Sequence, residues 1–241
     1  MSLVQKFNAI DKSKIINKLD FTNFSDNINT DSYKISIPYN YVQIDGIDTE
    51  QQIINIVINE INTKIYNDII KNLFKSDIYD VLDCRGKDLE MEFRDLFPSI
   101  INKVGDYKNI ICSSLLGSLF SDLSQFINGS IVSNKISTAN YLYKVGNISG
   151  INLWVDPYMK YNDTRLVAFN EVGFKFESIK YQEIIDENSF APRLISEVEY
   201  GHKINDSKVI YLITDQSGPE IYNEYKKIDR DIKINKLLDE Y

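Results

Sequence analysis

The stretch TEQQIINIVINEINTKIYNDIIKNLF, from Thr49 to Phe74, contains neither glycine nor proline. Ile54, Ile58, Ile61, Ile65 and Ile69 recur in it at helical spacing, with Val57 beside them. Asn55, Asn59, Asn62 and Asn67 take much of the remaining surface. The pattern predicts one uninterrupted helix, roughly 40 Å long at the usual rise per residue. Upstream, Asp45-Gly46-Ile47-Asp48 is turn chemistry. Asp48 is a candidate cap, and Gln51 follows three positions on, as in a capping box. Isoleucine is a mediocre helix former, so packing against a sheet must hold this rod more than propensity does.

On the N-terminal side, residues 1–34 read as a polar arm, with one short helix around Lys12 to Leu19. Tyr33 to Ile44 reads as a strand with Pro38 at an edge or bulge. On the C-terminal side a helix is expected from Asp88 to Val104, divided or kinked by Pro98 and ended by Gly105-Asp106. Asn109 to Ser113 follows as a buried strand. A helix is then expected from Ser114 to Ile127, with Leu115, Leu119 and Leu123 on one face. Strands are predicted over Ile136–Val145 and Ile151–Val155, around a turn at Gly146–Gly150. Four more follow over Arg165–Asn170, Phe174–Ile185, Pro192–Gly201 and Lys208–Thr214. Gly218-Pro219 opens a last helix whose stripe is Ile221, Tyr225, Ile228 and Ile232. That stripe is expected to dock on its own body or on a neighbouring subunit. Strand, long helix, helices, then strands is an α+β order.

The chain has 241 residues, 43% of them hydrophobic, enough for one large domain or two small ones with a real core. Asp and Glu number 35 against 27 Lys and Arg, a net charge of −8. Such a surface has no cation excess with which to wrap nucleic acid. Lys12, Lys14 and Lys18 are interrupted by Ile15 and Ile16 and flanked by acids, so they make no basic patch. One histidine and two cysteines cannot build most His-dependent catalytic or zinc sites within one chain. Cys84 and Cys112 read as buried reduced thiols. The start of the chain shows no signal peptide, and Ile110 to Phe120 falls far short of the roughly 20 residues that span a bilayer.

Asp77, Asp80 and Asp83, three apart, would share a helix face and have carboxylates for a divalent cation. A solvated acidic face is the commoner meaning. Glu183, Asp186 and Glu187 have the chemistry of an acid/base pair but read as an exposed loop. His202 has the titration range of a switch but reads as a strand-end residue. Phosphate-binding glycine loops, a nucleophile elbow and zinc-protease motifs are absent from the sequence. The expectation is therefore no catalytic, cofactor-binding or metal residue, and no cofactor.

Four segments, in order, resemble one family. Asp45-Gly46-Ile47-Asp48-Thr49-Glu50, running through Ile54, Glu60-Ile61 and Ile65, resembles the spine-helix region of T-even-phage major capsid proteins. Gly105-Asp106-Tyr107-Lys108-Asn109-Ile110-Ile111-Cys112-Ser113, Val145 through Gly150 to Asp156-Pro157-Tyr158, and Phe190-Ala191-Pro192 to Tyr200-Gly201 are similar to its later segments. The family's arginine before Asn109 is missing here, and Glu199 stands where the family has an arginine before Tyr-Gly.

The resemblance implies a Hong Kong 97-type phage capsid fold, with a long spine helix, a peripheral-domain sheet and an axial domain. Laid on this chain, it implies an N-terminal arm over 1–34 and a peripheral domain with the spine helix over 35–84. A mainly axial region follows over 85–145, then β-rich segments over 146–215 and a C-terminal helix over 216–241. It implies a non-enzymatic shell protein of the virion, assembled in the host cytoplasm. Copies would form hexamers and pentamers around DNA that is enclosed without specific binding. Other capsid, scaffold or portal proteins are further implied partners, and a membrane is not. A vertex paralogue and an encapsulin-like nanocompartment share that fold. A small acidic enzyme or binding module is the alternative of another class.

Overall fold

The structure is a computed structural model and describes residues 22–38, 48–128, 143–185, 192–215, 217, 221–223, 226–227 and 230. The readings at 12–19 and 39–44, the first part of the 136–145 strand, and Asp186 and Glu187 lie outside these residues. The chain divides into two compact units. One takes 1–72 and 171–205, the other 73–170 and 206–241.

The first unit is built on α1 (Asp48–Leu73), a single helix of 26 residues that extends through Asn72 here. Ile58, Ile61, Ile65 and Ile69 are buried, as the stripe requires, and so are Tyr66 and Ile70. Asn62 departs from the expected polar surface, being only 1% exposed. Strand β1 (Thr22–Phe24) lies in the stretch expected as an arm, and β2 (Asp31–Pro38) begins there and covers the described part of the strand predicted from Tyr33. β1 pairs in parallel with Val172–Phe174 of β8 (Arg165–Ile185), and β2 pairs antiparallel with Arg193–Tyr200 of β9 (Pro192–Ile213). β8 and β9 are neighbours, so the order here is β1-β8-β9-β2.

These long strands correct the sequence reading. The four late strands are two, of 21 and 22 residues. Gly173 and the run Asn205-Asp206-Ser207 carry turn chemistry, yet the ladder continues through them. Asp206 takes the left-handed conformation, with φ 50°, inside β9, which its short polar side chain tolerates.

In the second unit the order is β3-β9-β8-β4-β7-β6-β5, counted among described residues. β3 (Tyr79–Asp83) runs parallel to Val209–Ile213, and β4 (Asn109–Cys112) parallel to β7 (Ile151–Val155). All four residues of β4 are buried. α2 (Leu89–Val104) starts at Asp88, whose carboxylate accepts from the Glu90 and Met91 amides at 3.0 and 3.2 Å. Pro98 does not divide the helix. The ring faces solvent while Phe97 and Ile100 on either side are buried, so packing holds the helix across the lost hydrogen bond. α3 (Ser114–Ser121) is shorter than the predicted Ser114–Ile127 helix. It stops at Asp122, and Phe126–Asn128 forms β5 against β6 (Tyr143–Ile148). α2, α3, β4 and β7 close one core, in which Phe93 meets Phe120 edge-on at 4.9 Å.

The turn expected at Gly146–Gly150 is tighter. β6 runs to Ile148, and Ser149-Gly150 alone joins it to β7, both at positive φ, as a two-residue hairpin demands. Beyond β9, residues 221–223 are helical and Ile221 is buried, consistent with a docked stripe. Tyr225, Ile228 and Ile232 lie outside the described residues.

Asn109 ties this core together. Its amide donates to the carbonyl of Asn170 at 2.9 Å, and its oxygen accepts from the Trp154 indole at 3.0 Å and from Asn152 at 3.2 Å. Asn109→Ala should cost about 2–3 kcal/mol, because the acceptor for a buried indole N–H is removed. Urea unfolding followed by the emission of Trp154, the single tryptophan, checks it.

Candidate functional site: the long helix on its strand

The carboxyl-terminal half of α1 is fastened to β9 by polar groups at the margin of the isoleucine stripe. The Tyr200 hydroxyl donates to the Asp68 carboxylate. One turn on, the Asn72 amide lies 2.8 Å from His202 Nε2. Four helix residues advance about 6 Å and two strand residues about 6.6 Å. Asp68 to Asn72 and Tyr200 to His202 therefore keep step, and the helix runs alongside β9 in the same direction. Lys64, one turn before Asp68, adds an ion pair at 3.4 Å.

Tyr200 is the hub. It stacks on Tyr33 of β2 at 4.3 Å between ring centres and lies 6.1 Å from Phe174 of β8. One ring thus joins α1, β2, β8 and β9. Burial first, and then the Asp68 hydrogen bond, push the Tyr200 phenol far above its ordinary range. Tyr33 is raised by burial, then by Asp31 and Asp68. His202 is lowered by burial, against the opposing pull of Asp68. These groups are uncharged at neutral pH, and they work as a fastener.

The residues singled out for chemistry are placed otherwise than a site would need. Asp77, Asp80 and Asp83 do not share a helix: Asp80 and Asp83 lie in β3, and Asp77 precedes it. Asp80 is held by Lys103 at 2.5 Å and Lys208 at 3.0 Å. Burial alone would raise its carboxyl, but the two ammonium groups outweigh it and hold it below its ordinary value. Arg85 grips Asp83 and brings it down to about 2. Glu183 falls in β8. His202 sits inside β9 rather than at a strand end. Cys84 and Cys112 are buried free thiols, and burial raises both.

A cleft of about 270 Å³ in the second unit is lined by Asp88, Glu90, Leu115, Thr164, Thr214 and Asp215, among others. Asp88 is committed to the α2 cap, and Asp215 accepts the Gly86 amide at 2.8 Å. Among the described residues no group of three His, Cys, Asp or Glu side chains could hold a metal ion, and no helix is long and apolar enough to cross a membrane. Sequence reasoning missed Asp68, Asn72 and Tyr200. The legible signal was two polar residues, four apart, beside an otherwise apolar stripe.

No protein-family model matches the chain, and no curated protein does. Among solved structures it is similar to one of Mycobacterium phage Che8, at 14% identity and a TM-score of 0.49, over 84% of this chain and 80% of that one. It is similar to the satellite phage P4 procapsid including size determination (Sid) protein, at 10% identity and 0.48, over 83% and 76%. It is also similar to the holo-SrpI encapsulin complex from Synechococcus elongatus PCC 7942, at 8% and 0.43, over 79% and 76%.

Tyr200→Phe should lower stability by about 1.5–3 kcal/mol, the worth of a hydrogen bond to a charged acceptor, with the ring contacts kept. Urea midpoints of the two proteins decide it. The lowered His202 pKa has a definite sign. The unfolded chain, titrating near 6.5, binds the proton more readily than the folded one. This contribution to stability is complete above that value and declines as pH falls below it, toward the lower folded pKa. Urea midpoints between pH 8 and 5 should fall in that window, and His202→Gln should flatten the fall.

Proposed function

We propose that this chain is a shell tile: the major capsid protein of a tailed bacteriophage, of Hong Kong 97-type fold and T-even-like kind. It would assemble into hexamers and pentamers of an icosahedral head. The observation that carries the reading is α1 itself, an unbroken rod of 26 residues whose carboxyl-terminal half is fastened to β9 at Tyr200 and His202. This is the strut that the first of the four ordered sequence segments calls for. α1 and β9 correspond to the spine helix and the long peripheral strand of such a tile, and the second unit to its axial part.

Function in this reading needs no bond made or broken. Each copy offers several modest interfaces, and a closed shell engages all of them at once, so weak contacts sum to a stable particle. The net charge of −8 fits a wall that encloses DNA without gripping it. Asp80 and Asp83 are engaged in ion pairs, Asp88 in a cap and Asp68 in a hydrogen bond to Tyr200, which is what a structural protein asks of them.

Negative-stain microscopy of the expressed, purified protein is the test. Closed, uniform particles are expected. A monodisperse monomer at high concentration would overturn the proposal.

A further inference from the structure

β1 and β2 lie on opposite edges of the β8–β9 ribbon, so residues 25–30 must cross both strands to join them. Ser196, Val198 and Tyr200 are buried on the α1 side, and by alternation Gly201 faces the other way. The crossing uses that opposite face and rests on two glycines. A Cβ at Gly201 would collide with the Asn29 carbonyl oxygen and lie 3.0 Å from both the Asn29 carbonyl carbon and Ile28 Cγ2. A Cβ at Gly173 would lie 3.0 Å from Ile28 Cδ1. The Ser25 amide donates to the Phe174 carbonyl at 3.1 Å, which pins the start of the crossing.

We propose that Gly173 and Gly201 form a seat for residues 25–30. The crossing thereby acts as a clip that holds both edge strands down and keeps a second copy of this chain from adding a strand to the ribbon. An uncovered strand edge is a row of unpaired amides and carbonyls, open to any extended segment. Among the described residues β1 pairs through three, Thr22–Phe24, at the short end of strand lengths, so its ladder gains from help elsewhere. Its continuity with β2 through the seated clip supplies that help, because neither strand can peel away without unseating residues 25–30. The inference is independent of the shell reading, since it concerns the lone subunit.

Gly201→Ala in the full chain is the test, at a concentration where the parent protein is unassembled. Amide exchange over 22–38 should quicken at least tenfold while α1 and 195–205 keep their protection. Size-exclusion chromatography should show irregular, concentration-dependent association. Unchanged exchange over 22–38 would remove the seat from the proposal. Quickened exchange with parent-like association would remove the guard. Should Gly201→Ala fail to fold, Gly173→Ala, whose Cβ is tight only against the movable tip of Ile28 and meets Lys203 at ordinary contact distance, decides by the same two measurements.

Discussion

The contact on which the first unit depends is the seating of α1 on β9. A helix dominated by isoleucine and asparagine gains little from propensity. It persists because Ile58, Ile61, Ile65, Tyr66, Ile69 and Ile70 leave water together. Each fully buried apolar side chain of this kind contributes about 1.5–3 kcal/mol. Apolar burial has no direction of its own, and a smooth stripe could slide along a smooth strand. The Tyr200–Asp68 and Asn72–His202 pairs supply the missing direction. They are spaced one helical turn and two strand residues apart, so they hold one register and oppose the next.

Much of this was readable in advance. The α1 stripe appeared because 26 residues without glycine or proline leave the period uncontaminated. The helix from Asp88 and the buried strand at Asn109 appeared for similarly local reasons. The failures were non-local. Pro98 looked like a break because its cost is local, while the burial of Phe97 and Ile100 that offsets it belongs to tertiary packing. The late strands looked like four because Gly173 and Asp206 are turn formers. Gly173 turned out to serve the chain crossing above it, and Asp206 to carry a left-handed residue through a continuing ladder. The three aspartates looked like a helix face because their spacing fits one, but pairing with β9 drew Asp80 and Asp83 into a strand.

The same distinction explains why the fastener was invisible. Asp68 and Asn72 are ordinary helix residues by themselves, and Tyr200 is one aromatic among 16 tyrosines. Only the meeting of α1 with β9, 130 and 132 residues apart in sequence at the two pairs, gives them a role. A polar residue next to an apolar stripe is therefore worth reading as a register mark when the stripe is long.

Two groups in the first unit sharpen the point about direction. The Asn62 amide and the Ser196 hydroxyl are buried, and neither finds a hydrogen-bond partner. Each unmet group costs about 1–3 kcal/mol, a sum comparable with what one or two of the buried isoleucines contribute. The helix tolerates that loss because its apolar stripe is long enough to absorb it. The balance also runs the other way. A shorter stripe set against the same two orphans, Asn62 on the helix and Ser196 on β9, would have less burial to offset them, so the length of α1 is part of what permits buried polar residues in this unit. Polar groups near the stripe divide into those that find a partner and set the register, and those that do not and lower stability. α1 has both kinds, and its length lets the first kind decide where it lies.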